Sequence, residues 1–155
     1  MTLLDQNDLP AGLNRSPFDG EGALAQRKRV IDNGVLTTFL HNAYTAHKMG
    51  EVTTANATRG GFRATPELGP TNFFLDSGTL SQDDLFRRAG DGFFVTSAMG
   101  VHTADPISGD FSFGASGQVI RKGQLCEPVR GVTIAGNIRD LLVGVAAVGN
   151  DLRFF

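Results

Sequence analysis

Glycine takes 20 of the 155 positions, about 13% against the ~7% of ordinary chains, and no other feature limits the fold as strongly. A residue without a Cβ weakens helix and strand interiors and serves where the backbone turns with positive φ or approaches a neighbour closely. Short elements joined by tight turns are therefore expected. With 41% hydrophobic residues and 12 phenylalanines, the chain has too much apolar surface for a solvated coil. Its length suffices for one domain, residues 1–155, that folds without a disulfide or a metal. Fourteen basic and sixteen acidic side chains leave a net charge of -2, which offers no electrostatic footprint for nucleic acid or anionic lipid. No apolar run reaches the 18 residues a membrane-spanning helix needs, and Met1–Pro10 lacks the shape of a signal peptide. The lone Cys126 excludes an intramolecular disulfide and points to a reducing compartment, the cytoplasm.

The punctuation divides the chain. The first twenty residues, rich in Asp, Asn, Pro and Gly, read as loop. Gln26–Ile31 and Val35–His41 read as strands joined by Asp32-Asn33-Gly34, whose Asn-Gly pair suits a type I′ turn. Asn42 caps a helix over Ala43–Met49 that Gly50 closes. Residues 51–70 show no period, and Thr71–Leu75 is a brief strand. Ser81 with Asp84 forms a capping signature for a helix over Asp83–Ala89 that ends at Gly90. Gly92–Thr96, with Phe93-Phe94-Val95 unbroken, predicts a strand buried on both faces. Phe111–Ile120 alternates, Phe111, Phe113, Ala115 and Val119 facing one way and Ser112, Ser116 and Gln118 the other. Arg121-Lys122-Gly123 turns the chain into a strand at Gln124–Val129, and a further strand follows at Val132–Ala135. Ile138, Leu141, Leu142, Val145 and Val148 then keep helical spacing as far as Gly149. The fold class is α+β, with a mainly antiparallel, mixed sheet of long hairpins and a few short helices packed on one face or end. Leu152-Arg153-Phe154-Phe155 looks like mid-strand, as in a piece of something larger. Together with Phe93-Phe94 it predicts apolar surface that self-association would cover.

No constellation for catalysis emerges. His41 and His47 fall on different helix faces. His102 with Asp105 is the one candidate metal pair, two ligands where even a catalytic zinc site takes three. Gly114-Ala115-Ser116-Gly117 lacks the spacing of a nucleophile elbow. Cys126, with no histidine near it in sequence, reads as a small buried hydrophobe. Arg27-Lys28-Arg29 reads as a solvated strand face. What remains is the polar loop Val101–Asp110 feeding the strand after it. Ser108, Asp110, Ser112 and Ser116 are the candidate substrate-binding residues. Asp110 would fix the Ser108-Gly109-Asp110 turn by accepting backbone hydrogen bonds. Gly114 and Gly117 would let an extended peptide backbone come close. The competing reading is a tight turn followed by a solvent-facing sheet.

Several short motifs in order carry a resemblance. They are Ser16-Pro17-Phe18-Asp19-Gly20-Glu21-Gly22, Arg27 to Gly34, Thr45-Ala46-His47-Lys48-Met49-Gly50, Thr54-Ala55-Asn56-Ala57, Ser108 to Gly114, Pro128 to Asn137, and Val148-Gly149-Asn150-Asp151. Together they resemble the C-terminal region of the TldD/PmbA proteins, also called modulators of DNA gyrase. The resemblance implies a cytosolic system in which a TldD-like and a PmbA-like (TldE-like) subunit form a peptide-processing metalloprotease. In that family the TldD-like subunit holds zinc through a His-Glu-x-x-x-His helix and a cysteine close to the C-terminus. That helix motif is absent from this sequence and would lie upstream of Met1. Cys126 precedes Val148-Gly149-Asn150-Asp151, whereas the family ligand follows it, so Cys126 does not inherit the role. Val95-Thr96-Ser97-Ala98-Met99-Gly100 resembles the PmbA side.

The expectation is therefore a non-catalytic C-terminal domain, part of a longer chain, that walls a chamber and binds a TldD-like subunit or a second copy of itself. It would hold no cofactor of its own, zinc residing in the TldD-like partner, and its substrate would be a peptide. The alternatives are a fragment of a TldD-like catalytic subunit and a stand-alone peptide- or small-molecule-binding module.

Overall fold

At Asn33 and Gly34 the backbone takes φ of 49° and 86°, the paired positive values of a type I′ turn. The computed structural model describes residues 1–154, and they divide into two compact units, 1–76 with 152–154 and 77–151. The fold is α+β, and every pairing between its named strands is antiparallel.

The first unit is built on a four-stranded sheet in the order β3-β2-β1-β6. Its strands are β1 (Leu3–Gln6), β2 (Arg27–Asp32), β3 (Val35–Leu36) and β6 (Phe73–Leu75), and β4 (Ala57–Thr58) pairs with β5 (Glu67–Leu68) beside them. β1 corrects the loop reading of the opening residues. It lies at the centre of the sheet, between β2 and β6, and buries Leu4 and Asp5 completely. Nothing local marks it, because its partners stand more than twenty residues away. β3 is shorter than expected: it ends at Leu36, with one last backbone bond to β2 from the Thr37 amide to the Val30 carbonyl at 2.9 Å. Helix α1 (Ala43–Met49) follows its signals closely. Asn42 Oδ1 accepts from the Thr45 amide at 2.8 Å, the Thr45 hydroxyl oxygen accepts from the Asn42 amide at 3.1 Å, and Gly50 ends the helix at φ 72°.

The second unit holds helix α2 (Gln82–Ala89), the sheet β7 (Gly92–Met99), β8 (Asp110–Arg121) and β9 (Gln124–Asn137), and helix α3 (Ile138–Val143). Ser81 and Asp84 form the predicted capping box. The Ser81 hydroxyl and the Arg87 guanidinium bring the Asp84 carboxyl down to about 2. Phe86 on α2 meets Phe94 on β7 edge to face, centroids 5.1 Å apart. With Ala115 and Ile120 this is where the unit's core lies.

Four expectations are corrected here. β7 is an edge strand with Val95 to Met99 exposed, not a strand buried on both faces. The two strands expected after Arg121 are one, β9, because Gly131 at φ 73° absorbs an extra residue as a bulge without ending the ladder. α3 stops at Gly144, so Val145 and Val148 lie outside it. At the chain's end Leu152–Phe154 form no strand. Phe154 instead packs edge to face on Phe74, and Phe155 lies outside the described residues.

One line crosses the whole three-stranded sheet. Thr96 of β7 is skipped between the pairs Val95↔Gly117 and Ser97↔Ser116. Gly131 of β9 is skipped between Ala115↔Val132 and Ser116↔Arg130. Both bulges fall beside Ser116, so the edge strands carry their extra residues at the same point of the central one, where bulges bend and twist a sheet.

Candidate functional site

The Val101–Asp110 loop is held by a dense set of bonds. Asp105 Oδ1 accepts the amides of Ile107 (2.7 Å) and Ser108 (3.2 Å), and these bonds lower its carboxyl below the usual range. The Asp105 amide donates to the Asp110 carbonyl, and the Gly109 amide donates to the Asp105 carbonyl, both at 2.9 Å. Gly109 takes φ 79°. Asn137, at the end of β9, closes the set: its side-chain amide donates to the Ser108 carbonyl at 2.9 Å and to Asp110 Oδ1 at 2.8 Å. The aspartate that gathers backbone amides is thus Asp105, not Asp110. The sequence places the turn correctly but assigns its anchor to the wrong carboxylate, because Asp105 lies outside the motif, before Pro106.

The four candidate residues take different places. Ser108 and Asp110 are brought together, the Asp110 amide donating to Ser108 Oγ at 3.2 Å. Ser112 is exposed on β8, its carbonyl accepting from the Thr103 hydroxyl at 3.3 Å. Ser116 stands four residues further, ~13 Å along the strand at ~3.3 Å per residue, half-buried at the line of bulges. β8 is continuous between them, so alternation puts both on one face. Phe111 and Phe113 lie on the other face, their rings stacked 5.4 Å apart, each half-buried. Gly117 is not open to a ligand: a Cβ there would collide with the Phe94 carbonyl oxygen of the neighbouring strand. At Gly114 a Cβ would meet only Met99 at ordinary contact distance.

His102 is exposed in the single turn Val101–Thr103, and the Asp105 carboxylate is committed to its own loop's amides. Among the described residues no three His, Cys, Asp or Glu side chains come together as a metal site. The donors present therefore do not fit a zinc ion. Cys126 is half-buried, not buried, and its thiol faces the Gln124 carbonyl at 3.7 Å.

The first unit contains a cluster that sequence reasoning missed. Asp5 and Lys28, with side chains 0% and 5% exposed, form an ion pair at 3.1 Å. Lys28 Nζ also donates to Asn7 Oδ1 (2.8 Å) and to the Thr54 carbonyl (2.9 Å). Asp5 accepts from the Thr71 amide (2.8 Å), the Thr71 hydroxyl (3.0 Å) and Asn56 Nδ2 (2.6 Å). Every donor and acceptor of the pair is satisfied, as buried charges require. Burial lowers the pKa of the Lys28 ammonium, and Asp5 opposes that shift. So the basic run is not a solvated face: Arg27 and Arg29 point outward and Lys28 inward. The alternation itself was legible. What it could not show was an aspartate waiting on the inner side.

This cluster underlies a groove of about 420 Å³ whose lining includes Asn7, Asp19, Ala57, Arg59 and Thr71. Two residues before Ala57, Ala55 is fully buried at φ 57°, a conformation costly for a residue with a Cβ. Its carbonyl accepts from Asn7 Nδ2 at 2.8 Å and its amide donates to the Thr53 hydroxyl oxygen at 3.2 Å, while the flanking amides of Thr54 and Asn56 both donate to the His41 carbonyl, at 3.1 and 3.3 Å. Asp19 ties the far side, its carboxylate accepting the amides of Glu21, Ala23 and Ala57. The Ser16–Gly22 and Thr54–Ala57 motifs thus meet at one groove.

Residues 1–155 match the family model described as the PmbA/TldA metallopeptidase C-terminal domain. The chain is 34% identical over 153 residues to "Metalloprotease PmbA" of Escherichia coli O157:H7, a span of 99% of this chain and 32% of that protein. A Thermotoga maritima crystal structure described as a modulator of a DNA gyrase superposes with a TM-score of 0.89 at 38% identity, over 98% of this chain and 34% of that one. TldE from Thermococcus kodakarensis superposes with a TM-score of 0.81 at 27% identity, over 91% and 32%. The chain spans about a third of the length of these relatives.

Proposed function

This chain belongs to the PmbA/TldA metallopeptidase C-terminal domain family, and on that footing we propose that it serves as the non-catalytic C-terminal domain of a PmbA/TldE-like subunit. In this reading its two compact units work as one domain. It lines a peptide-processing chamber in the cytoplasm and docks against a TldD-like subunit or a second copy. The polar face of β8, with Ser112 and Ser116 above the Ser108–Asp110 turn, meets the extended peptide.

The observation that carries the reading is the contrast between a whole-length match to a metallopeptidase domain and the lack of any three-ligand group among the described residues. Hydrolysis of a peptide by zinc takes three protein ligands and an open position for water. No residue here is assigned a step of that chemistry. The division of labour suits the hydrogen bonding: Asp105 and Asn137 keep the turn rigid, so a peptide laid along β8 would meet a preorganised surface.

The test is zinc analysis and a peptidase assay on the purified chain, with and without a co-expressed TldD-like partner. The chain alone is expected to carry no stoichiometric zinc and to cleave nothing. With the partner, cleavage appears, and Ser112→Trp weakens it while leaving the unfolding midpoint unchanged. One equivalent of tightly held zinc in the chain alone, lost on His102→Ala or Asp105→Ala, overturns the reading.

A further inference from the structure

The groove over the buried Asp5–Lys28 pair has a chemistry of its own. At about 420 Å³ it falls within the size range of small-ligand sites. Asn7 lines it, is 2% exposed, and spends its amide inward on Lys28 Nζ and the Ala55 carbonyl. Ala55 keeps its positive φ next to Asn56 and Ala57. Such strain persists only where the surroundings over-determine it, as they do at ligand clamps. Here it accompanies two bonds that tie the segment in place, from Asn56 Nδ2 to Asp5 and from the Ala57 amide to Asp19.

The charges at the groove differ in what they have left to offer. Asp19 Oδ1 accepts the Glu21 and Ala23 amides, both at 2.9 Å, and Oδ2 accepts the Ala57 amide at 3.1 Å. Asp5 beneath is answered by Lys28. Arg59, on the lining, has no acid: among the described residues it forms no ion pair. Its Nε donates to the Gly20 carbonyl at 2.6 Å and its Nη1 to the Ala64 carbonyl at 3.2 Å. Two of its five N–H donors are thereby used and three are left. Gly20 makes this approach possible, since a Cβ there would lie 3.1 Å from Arg59 Cγ. A guanidinium held by carbonyls keeps its full charge and is already ordered, so binding an anion costs it little further entropy. Beside it the lining turns apolar, with Phe18 half-exposed and Pro70.

We propose that this groove binds a carboxylate joined to an apolar group, the carboxylate on Arg59 and the apolar group against Phe18 and Pro70. One fixed guanidinium matches one carboxylate, the planar fork on the planar anion. A phosphate is matched by several cations or by a run of backbone amides, and the amides nearby are already given to Asp19. The C-terminus of a peptide ending in an apolar residue and a small apolar acid share the required chemistry. The site uses no residue of the β8 face, so it stands or falls separately from the peptide reading of that face.

The experiment is titration of the purified chain, followed by amide chemical shifts. The probes are acetyl-Ala-Ala-Phe as the acid and as the carboxamide, acetyl-Phe, and inorganic phosphate. The acid is expected to shift residues 16–20, 57–59 and 70–71 saturably. The carboxamide should bind roughly ten- to a hundredfold more weakly, the range for hydrogen bonds to a charged group. Arg59→Gln should lower the acid to the carboxamide's affinity, and Arg130→Gln should leave it unchanged. A tripeptide that outbinds acetyl-Phe assigns the site to a peptide end, and equal affinity assigns it to a small acid; either supports the site. Should Arg59→Gln lose its native circular dichroism, the contrast between acid and carboxamide on the wild type decides. Acid and carboxamide binding equally, shifts confined to other residues, or no saturable shift at all overturns the proposal. So does phosphate that occupies the groove as tightly as the acid.

Discussion

Asp5 is the residue on which most of the first unit's polar core converges, and its bonds predict an asymmetry. Removing its carboxylate strands the Lys28 ammonium and leaves the Thr71 amide and the Asn56 side chain without their acceptor. Breaking a buried pair from one side costs about 3–5 kcal/mol, and Asp5→Ala should fall in that range. Lys28→Met is milder: it keeps the packing volume, and the Asp5 carboxylate retains three other donors. The double variant should cost less than the sum of the two, since contacting residues couple. Urea denaturation of the three variants checks both statements. Equal and additive losses would mean that the two side chains do not act as a pair. Legibility divides at this same scale. Asn33-Gly34, Asn42 and Ser81 announce themselves because a turn or cap is decided within four residues. Asp5 and Lys28 do not, because a charge is buried only where a distant partner meets it.

Among the elements, β8 and its neighbours show two glycines doing different work. Gly131 takes a positive φ with open space around it, so Gly131→Ala meets only backbone strain, about 1–2 kcal/mol. Gly117 has no such φ, yet a Cβ there would strike the Phe94 carbonyl of β7. Gly117→Ala must therefore shift the β7–β8 ladder, which makes it the more damaging substitution of the two. Thermal unfolding of both variants is the check. A larger loss at Gly131 would mean that the bulge is packed from outside. The same elements explain where periodicity misleads. Helical spacing runs on to Val148, but Gly144 ends α3 early. Phe93-Phe94-Val95 reads as a doubly buried strand, yet burial is set by position in the sheet, and β7 lies at its edge.

For the whole molecule, charge is the property with the widest reach. The net charge is -2, and the basic side chains are spread and partly spoken for. Lys28 is sealed inside, while Arg29, Arg87 and Arg121 pair with Asp32, Asp84 and Glu127. Phosphate neutralisation dominates affinity for DNA, so the chain should not retard duplex DNA in a mobility-shift assay at physiological salt. A shifted band that weakens steeply with added salt would contradict this, and would give weight to the gyrase description carried by the Thermotoga relative.

What could be read from residues alone is whatever a few neighbouring residues settle: the hairpin turns, both capped helices, the alternation of β8 and the α+β class. The ordered motifs add the family, since each is a local string. What required the fold is whatever depends on residues brought together from far apart. A four-residue strand becomes the centre of a sheet only when Arg27–Ile31 and Phe73–Leu75 close on it. Asp105, not Asp110, becomes the anchor of the loop only once the chain turns back at Gly109. Local energetics are encoded within a turn of chain, whereas burial and edge position are properties of an assembled surface, and no window of sequence contains them.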